Sequence, residues 1–458
     1  MVQAVRGVIG AGLILGMAAL PAAAQSLALP AADPVGIARS GAQVAYGYSL
    51  EAASANPALL ISLKENRGIY LAAGLELAST QQSLESNQRT LFSTDRNRAI
   101  GAFGAALRLS PTFSLGLKLD EPFLRHGRLL NDAPSRFLGD GIDLSARRLE
   151  GQAAWALSPN VSLGLGLGVA RLGYESSSVM RFGVPLDPDP SRPASGANPV
   201  QGLVEQRVAQ SGNKLVPSYS LGLRWAISPR WTLGATHQSG LKGDLDLKAG
   251  FRDANLGLYA NDGLSTADLG TASRAAGLLG VSRPVSAANR TLELPSQTTV
   301  GFRHRVTPMV TWETDLRWTS AGLRMPAFAQ VSTPSGLVSA PSELPQGKSY
   351  LSLSASVEVE LSKVWTMRGG LALDQRSVDE SVTEPLLGGS RTAAFSIGAG
   401  YRTWGGELSL GYQYRQSEDQ DTRHLSGVWS NTGFRTGVTR MRAEGMGHLF
   451  ALGVKKTF

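Results

Sequence analysis

Residues 351–361 read LSLSASVEVEL, and this stretch decides the fold class. Leucine, alanine and valine recur at every second position, with serine or glutamate at each position between them. Successive side chains of a β-strand point to opposite faces, so the segment has one apolar face and one polar face. It predicts a strand with an apolar environment on one side and water or ionic groups on the other.

Three further segments have the same period of two. Residues 219–227 (YSLGLRWAI), 310–319 (VTWETDLRWT) and 407–415 (ELSLGYQYR) each separate apolar side chains from small, polar or charged ones. An arginine facing lipid costs about 2–4 kcal/mol near the bilayer midplane. The charged faces are therefore predicted to line the lumen of a closed sheet, whereas a soluble β-sandwich would need two apolar inner faces. The predicted lumen residues are Glu313, Asp315, Arg317, Glu358, Glu360, Arg368, Asp374, Arg402 and Arg415.

The connections between these strands alternate between short and long. Six are short turns, most of them marked by proline or glycine, at 110–112, 158–160, 228–230, 307–309, 362–363 and 405–406. Seven long segments are predicted to be poor in strand: 84–97, 121–144, 183–213, 248–295, 326–348, 379–390 and 418–442. Thirteen connections join fourteen strands, and short periplasmic turns with long outer loops are typical of bacterial outer-membrane barrels. We predict an all-β fold, a 14-stranded antiparallel transmembrane β-barrel.

Composition excludes several other classes. Charged residues are only 17% of the 458, and there is no Cys, which excludes a disordered chain, a disulfide scaffold and a Cys-based metal site. The net charge is +8, but no basic cluster indicates a nucleic-acid partner.

The N-terminal residues divide into two segments. Residues 1–24 combine Arg6, a short apolar run and Ala22-Ala23-Ala24, the pattern of a secretory signal peptide. Residues 25–67 lack the period of two, and the predicted barrel occupies 68–458.

A family resemblance is carried by this second segment. It contains Gly36-Ile37-Ala38-Arg39-Ser40-Gly41-Ala42, followed by Asn56, Pro57 and Ala58. This pattern, placed between a signal peptide and the first strand, resembles the FadL family of outer-membrane transporters for hydrophobic compounds. The resemblance implies that residues 25–67 form an N-terminal hatch that plugs the barrel.

The resemblance also implies function and location. It indicates a monomeric transport protein in the outer membrane of a Gram-negative bacterium, in contact with outer-membrane lipid and lipopolysaccharide. Its partner is a hydrophobic small molecule such as a long-chain fatty acid, taken up passively, and no cofactor is expected. Aromatic-hydrocarbon uptake and a structural or adhesive barrel without transport are the alternatives. No catalytic motif predicts an enzyme.

The 248–295 segment is the candidate for the first ligand contact. Ligand sites are mostly apolar with a few placed polar groups, and this segment is rich in apolar side chains. A loop that covers its own small core is the alternative. The candidate residues are Phe251, Leu256, Leu258, Tyr259, Leu264, Leu269, Leu278 and Leu279.

Inside the barrel, three features are candidates for guiding a ligand. Arginine binds carboxylates bidentately, so Arg303, Arg317, Arg368, Arg402 and Arg415 are candidates for a fatty-acid carboxylate, with structural ion pairs as the alternative. The inner face of residues 161–170 is almost bare, which indicates space for the hatch or a ligand, or else a bend in the barrel. Pro122 lacks a backbone N–H, so strand pairing should weaken there. The family resemblance implies that a kink in the third strand opens the wall sideways, and Pro122 is the candidate for that kink.

Overall fold

The fold is a barrel with a segment of chain inside it. A computed structural model describes residues 31–46, 50–63, 66–84, 90–128, 141–185, 201–259, 282–284, 290–326, 331–333, 336–338, 347–377, 391–403, 405–418, 420–430 and 433–458. The predicted signal peptide lies outside these residues. No helix within the described ranges is long and apolar enough to cross a membrane.

The helices are short and lie at the N-terminus, before a long series of strands. The helices are α1 (Pro34–Ala38), α2 (Leu50–Ala55) and a 3-10 helix (Pro57–Ser62). The strands are β1 (Arg67–Leu84), β2 (Thr90–Ser110), β3 (Phe113–Arg128), β4 (Gly141–Ala156), β5 (Val161–Pro185), β6 (Gln201–Ala226), β7 (Trp231–Gln238), β8 (Leu241–Asp244), β9 (Lys248–Tyr259), β10 (Ser282–Pro284), β11 (Thr291–Leu294), β12 (Gln297–Arg305), β13 (Val310–Thr319), β14 (Val331–Thr333), β15 (Gly336–Val338), β16 (Tyr350–Glu360), β17 (Trp365–Asp374), β18 (Thr392–Thr403), β19 (Gly406–Ser417), β20 (Gln420–Ser430) and β21 (Gly433–Thr457).

Within the described part of the chain, fourteen of these strands close into an antiparallel barrel, as the sequence predicted. Each pairs with the next, and β21 returns to β1 with Gly68 opposite Thr457. Closure leaves no unpaired sheet edge facing lipid. The wall strands, in order, are β1 to β7, β12, β13, β16, β17, β18, β19 and β21.

The prediction that the long connections are poor in strand was wrong in several places. Strand β9 falls inside the 248–295 segment and pairs with Leu203–Ser211 of β6, and β20 falls inside 418–442 and pairs with β21. Continuing an antiparallel ladder beyond the bilayer satisfies backbone N–H and C=O groups that a loop would leave to water. Sequence reasoning missed these strands because apolar and polar residues do not alternate regularly in either stretch.

The two faces of the wall are as different as the period of two predicts. On β13, Glu313 and Asp315 are 0% and 1% exposed and point into the lumen, whereas Leu316 and Trp318 are 48% and 46% exposed on the outside. On β13 the ionic side chains are therefore lumenal, and their neighbours along the strand meet lipid.

The described part of the N-terminal segment, residues 31–46 and 50–63, lies inside the barrel. Helix α1 packs against β17, β18, β19 and β21, and the 3-10 helix packs against β3 to β6 on another side. Ile37 and Leu59 are buried in this packing. The segment thus crosses the lumen and contacts the wall on several sides.

Candidate functional site

Helix α1 has well-defined ends despite its length of five residues. Asp33 caps its start, because its Oδ1 accepts a hydrogen bond from the Gly36 N–H at 2.7 Å, and Pro34 fits the first turn. Ser40 and Gly41, with φ of 51° and 84°, end it. Burial raises the pKa of Asp33 to about 6, with the nearby Glu51 carboxylate acting in the same direction.

Arg39 projects from the end of α1 into a cluster of lumenal carboxylates. Its Nη2 lies 2.7 Å from Glu313 Oε2 and its Nη1 lies 3.7 Å from Glu358 Oε2. The guanidinium also stacks 4.0 Å above the Tyr46 ring, and Tyr46 donates its hydroxyl proton to Glu358 at 2.8 Å. Burial, followed by the Glu358 charge, raises the pKa of Tyr46, so the hydroxyl stays a donor.

The turn after α1 is held by carboxylates of β13. The Gln43 and Val44 N–H groups donate to Asp315 Oδ2 at 2.9 and 3.1 Å, and the Ala45 N–H donates to Glu313 Oε1 at 2.7 Å. Two acidic residues of one strand therefore anchor three consecutive backbone amides of the segment.

A second ionic contact reaches α2. Lys455 of β21 lies 3.0 Å from Glu407 and 3.5 Å from Glu51 of α2. Lys455 therefore links helix α2 to strands β19 and β21 of the wall.

Asn56, Pro57 and Ala58 connect α2 to the 3-10 helix. Asn56 Oδ1 accepts from the Ala58 N–H at 3.1 Å, and Asn56 Nδ2 donates to the carbonyls of Val44 at 2.8 Å and Leu223 at 3.0 Å. One side chain thus caps a helix, joins two parts of the segment and binds strand β6.

The bare inner face of β5 accommodates this contact. A Cβ atom added at Gly164 of β5 would collide with the backbone of Pro57 and Ala58. One added at Gly222 of the neighbouring β6 would collide with Asn56 Oδ1. Glycine is required here because the segment approaches the wall at backbone distance.

Gly164→Val is therefore expected to displace the segment. The colliding atoms are backbone and have little freedom to move, and overpacking of this kind typically costs about 1–3 kcal/mol. Tryptic cleavage after Arg39 in the folded barrel should rise about fivefold or more, since 1.4 kcal/mol is tenfold in an equilibrium constant. Gly369→Val is the control, because position 369 faces lipid and a Cβ atom added there would have only Ser396 O nearby, at 3.7 Å. Equal protection of Arg39 in both variants would show that this close approach is dispensable.

The wall has a discontinuity at Pro122. In the ladder between β3 and β4, Asp120 is opposite Arg148 and Phe123 is opposite Ala146. The two residues between them on β3 therefore face a single residue of β4, which is a β-bulge. The pairing of β3 with β2 ends at Leu119, opposite Phe103, within the described residues. Beyond this point β2 continues beside β1 and β3 beside β4, so the ladder between β2 and β3 is open.

A cavity of about 70 Å³ lies behind this bulge. The N-terminal segment forms one side, and residues of β2, β3, β4, β7, β12 and β13 form the other. Most of its lining is polar: Asp33, Gln43, Asp120, Glu121, Arg148, Thr236, Gln238, Gln297, Thr299 and Arg317, with Ala31, Val44, Ala102 and Pro122 among the apolar contacts. A larger cavity of about 530 Å³ opens on the short-turn side, between the segment and the ends of the strands.

Among the five candidate arginines, Arg368 and Arg402 form ion pairs with carboxylates of the wall. Arg368 lies 2.8 Å from both Glu358 and Glu407. Arg402 lies 3.4 Å from Glu360 and 3.9 Å from Glu407. Their guanidinium groups are neutralised by the wall.

The other three arginines have different surroundings. Arg303 lies 5.6 Å from the Tyr46 ring centre, and Arg415 donates a hydrogen bond to Gln413. Arg317 lines the cavity behind the bulge.

The candidates for the first ligand contact are only partly described. Phe251, Leu256, Leu258 and Tyr259 lie in β9, so the prediction that they belong to a loop is wrong, because β9 continues the ladder of β6. Leu264, Leu269, Leu278 and Leu279 lie outside the described residues.

Sequence reasoning named Asn56 and Arg39 as parts of the motif, and it placed Glu313, Asp315 and Glu358 in the lumen, but it did not predict that these residues contact one another. Arg39 carries the sole positive charge between Asp33 and Glu51. A single arginine in a segment predicted to lie among lumenal carboxylates could have indicated a buried ion pair. Tyr46 gave no comparable signal.

The comparisons with known proteins agree on one family. A family model described as outer membrane protein transport protein (OMPP1/FadL/TodX) matches residues 14–458. A FadL homologue of Pseudomonas aeruginosa is similar in structure, with 16% identity and a TM-score of 0.71 over 95% of this chain and 100% of that one. The toluene transporters TodX of P. putida (12%, TM-score 0.62) and TbuX of Ralstonia pickettii (14%, TM-score 0.59) each align over 94% of this chain and 99% of their own. No curated protein sequence gives a significant match.

Proposed function

The chain belongs to the FadL/TodX family of outer-membrane transport proteins, and on that premise we propose that it admits amphipathic hydrophobic molecules such as long-chain fatty acids by passive uptake. It is a Gram-negative outer-membrane transporter of hydrophobic compounds and not an enzyme. The observation that carries the finer proposal is the open ladder between β2 and β3, immediately behind which lies a cavity.

The proposed route ends sideways through this opening. Residues 31–46 and 50–63 lie across the lumen, and buried ion pairs such as Arg39–Glu313 hold them in the direct path to the periplasm. In this proposal these residues, within the 25–67 segment, form the hatch, and a ligand leaves through the wall at Pro122 into the membrane. The apolar residues predicted for the 248–295 segment are proposed to make the first contact.

The polar lining of the cavity favours a ligand with a polar head group. Burying unpaired polar groups against a hydrocarbon is unfavourable, and the cavity presents amide, hydroxyl and charged groups. Arg317 is the proposed partner of a carboxylate, because it is the one of the five candidate arginines that lines this cavity.

The experiment compares palmitate with hexadecane, which has the same chain length and no head group. Cells whose only such transporter is this chain should take up palmitate in preference to hexadecane. Arg317→Gln should lower palmitate uptake about fivefold. Arg230→Gln, in an exposed short turn, should leave uptake unchanged.

Two outcomes would contradict parts of the proposal. Uptake of toluene without palmitate would identify an aromatic-hydrocarbon transporter, as TodX and TbuX are described to be. Uptake of neither, with the barrel folded in the outer membrane, would contradict transport of this class.

A further inference from the structure

Two arginines face the lipid side of the wall directly opposite each other. Arg147 of β4 and Arg171 of β5 are partners in the ladder, and both side chains are exposed. Their neighbours Arg148 and Leu172 are buried in the lumen, so the alternation of side chains places Arg147 and Arg171 on the outer surface. Like charges opposite one another destabilise a sheet, so this arrangement favours an anion between them.

The protein neutralises only one of these two charges. Arg147 Nε donates to Glu121 Oε1 at 2.6 Å, and the Arg147 side chain remains 62% exposed. Arg171 makes no hydrogen bond or ion pair with any residue in the described ranges. The pair therefore carries an excess positive charge at the surface.

The pair lies near the outer edge of the apolar band of the barrel. Trp155 marks the short-turn end of β4, and Leu149 and Val169 are the last large apolar outward residues before the pair. From Trp155 to Arg147 the strand rises about 26 Å, at about 3.3 Å per residue, which is about 20 Å along the barrel axis at a tilt of about 40°. The apolar band of such barrels is about 25 Å tall, so the pair lies about 5 Å inside its outer edge, a distance that a long arginine side chain can span to reach the head groups.

The residues that follow the pair leave room for a head group. The next outward positions on the two strands are Ser145 and Gly173, which are partners in the ladder. Neither has a side chain long enough to cover the guanidinium groups. The outer leaflet of a Gram-negative outer membrane consists of lipopolysaccharide, whose lipid A anchor carries phosphates at this level.

We propose that Arg147 and Arg171 bind a phosphate group of lipid A on the outer surface of the barrel. The planar guanidinium group matches phosphate oxygens in a bidentate manner. Because Arg147 also holds Glu121 at the bulge, the bound lipid lies directly beside the opening between β2 and β3.

The test measures lipid A binding to the full-length purified barrel in a neutral detergent by native mass spectrometry. Bisphosphorylated lipid A is compared with lipid A from which both phosphates have been removed. Arg171→Gln is the principal variant, because Arg171 has no partner to disturb within the described protein, and it should weaken binding of the bisphosphorylated form about fivefold. Arg147→Gln combined with Arg171→Gln should weaken it more than tenfold, and Arg171→Lys should retain part of the affinity. Lys242→Gln, an exposed cation elsewhere, is the matched control.

Three results would overturn the proposal. One is unchanged binding of bisphosphorylated lipid A to the double variant, provided that the heat-dependent gel migration of this variant shows that its barrel is folded. The second is equal binding of the phosphate-free lipid to the unaltered protein. The third is displacement of lipid A by millimolar inorganic phosphate, which would identify a site for free phosphate. None of these results depends on whether the barrel transports palmitate.

Discussion

Deleting Pro122 is expected to reduce ligand uptake at least tenfold while leaving the barrel folded. Glu121 and Pro122 together face Arg147, so removing one residue restores one-to-one pairing between β3 and β4. The deletion also removes the residue that has no N–H to give to the ladder. Strand β3 can then continue beside β2 beyond Leu119 and Phe103, which closes the opening in the wall.

Pro122→Ala is the matched control for this deletion. Alanine restores the N–H but keeps the extra residue, so the bulge remains and uptake should stay within about twofold of the unaltered protein. Uptake is measured as the initial rate of labelled palmitate entry at equal amounts of heat-modifiable, folded barrel. Undiminished uptake by the deletion variant would place the exit elsewhere, with the periplasmic side of the hatch as the next candidate.

Arg39→Met is expected to release the N-terminal segment from the lumen. Methionine fills much of the same volume, but the Glu313 and Glu358 carboxylates lose the cation that lies 2.7 and 3.7 Å from them. Removing one partner of a buried ion pair costs about 3–5 kcal/mol. Since every 1.4 kcal/mol is tenfold, the fraction of barrels with an open lumen should rise by about two to three orders of magnitude.

Conductance of the purified barrel in planar lipid bilayers measures this opening. The unaltered protein should be nearly closed to ions, and Arg39→Met should show frequent channel openings. Adding Glu313→Gln to Arg39→Met should restore much of the closure, because it removes an uncompensated charge and keeps an acceptor for the Ala45 N–H. If Arg39→Met remains closed, backbone hydrogen bonds and packing hold the segment without the ion pair.

Sequence reasoning predicted some of these features and missed others for identifiable reasons. Proline at position 122 predicted weakened pairing, because a missing N–H is a local property. It did not predict that β3 leaves β2 at Leu119, since that depends on which strand lies alongside. Likewise, the bare inner face of residues 161–170 indicated a close neighbour, but only the folded chain shows that Pro57 and Ala58 fill the space at Gly164.

What the sequence by itself determined is the barrel: its period of two, the position of charged residues on one face and the alternation of short and long connections. These are local properties, because each side chain's face follows from its place in the strand. What only the tertiary structure decided is which charges meet. Arg39 and Glu313 are 274 residues apart, and they come together because strand register and barrel closure bring β13 to the hatch.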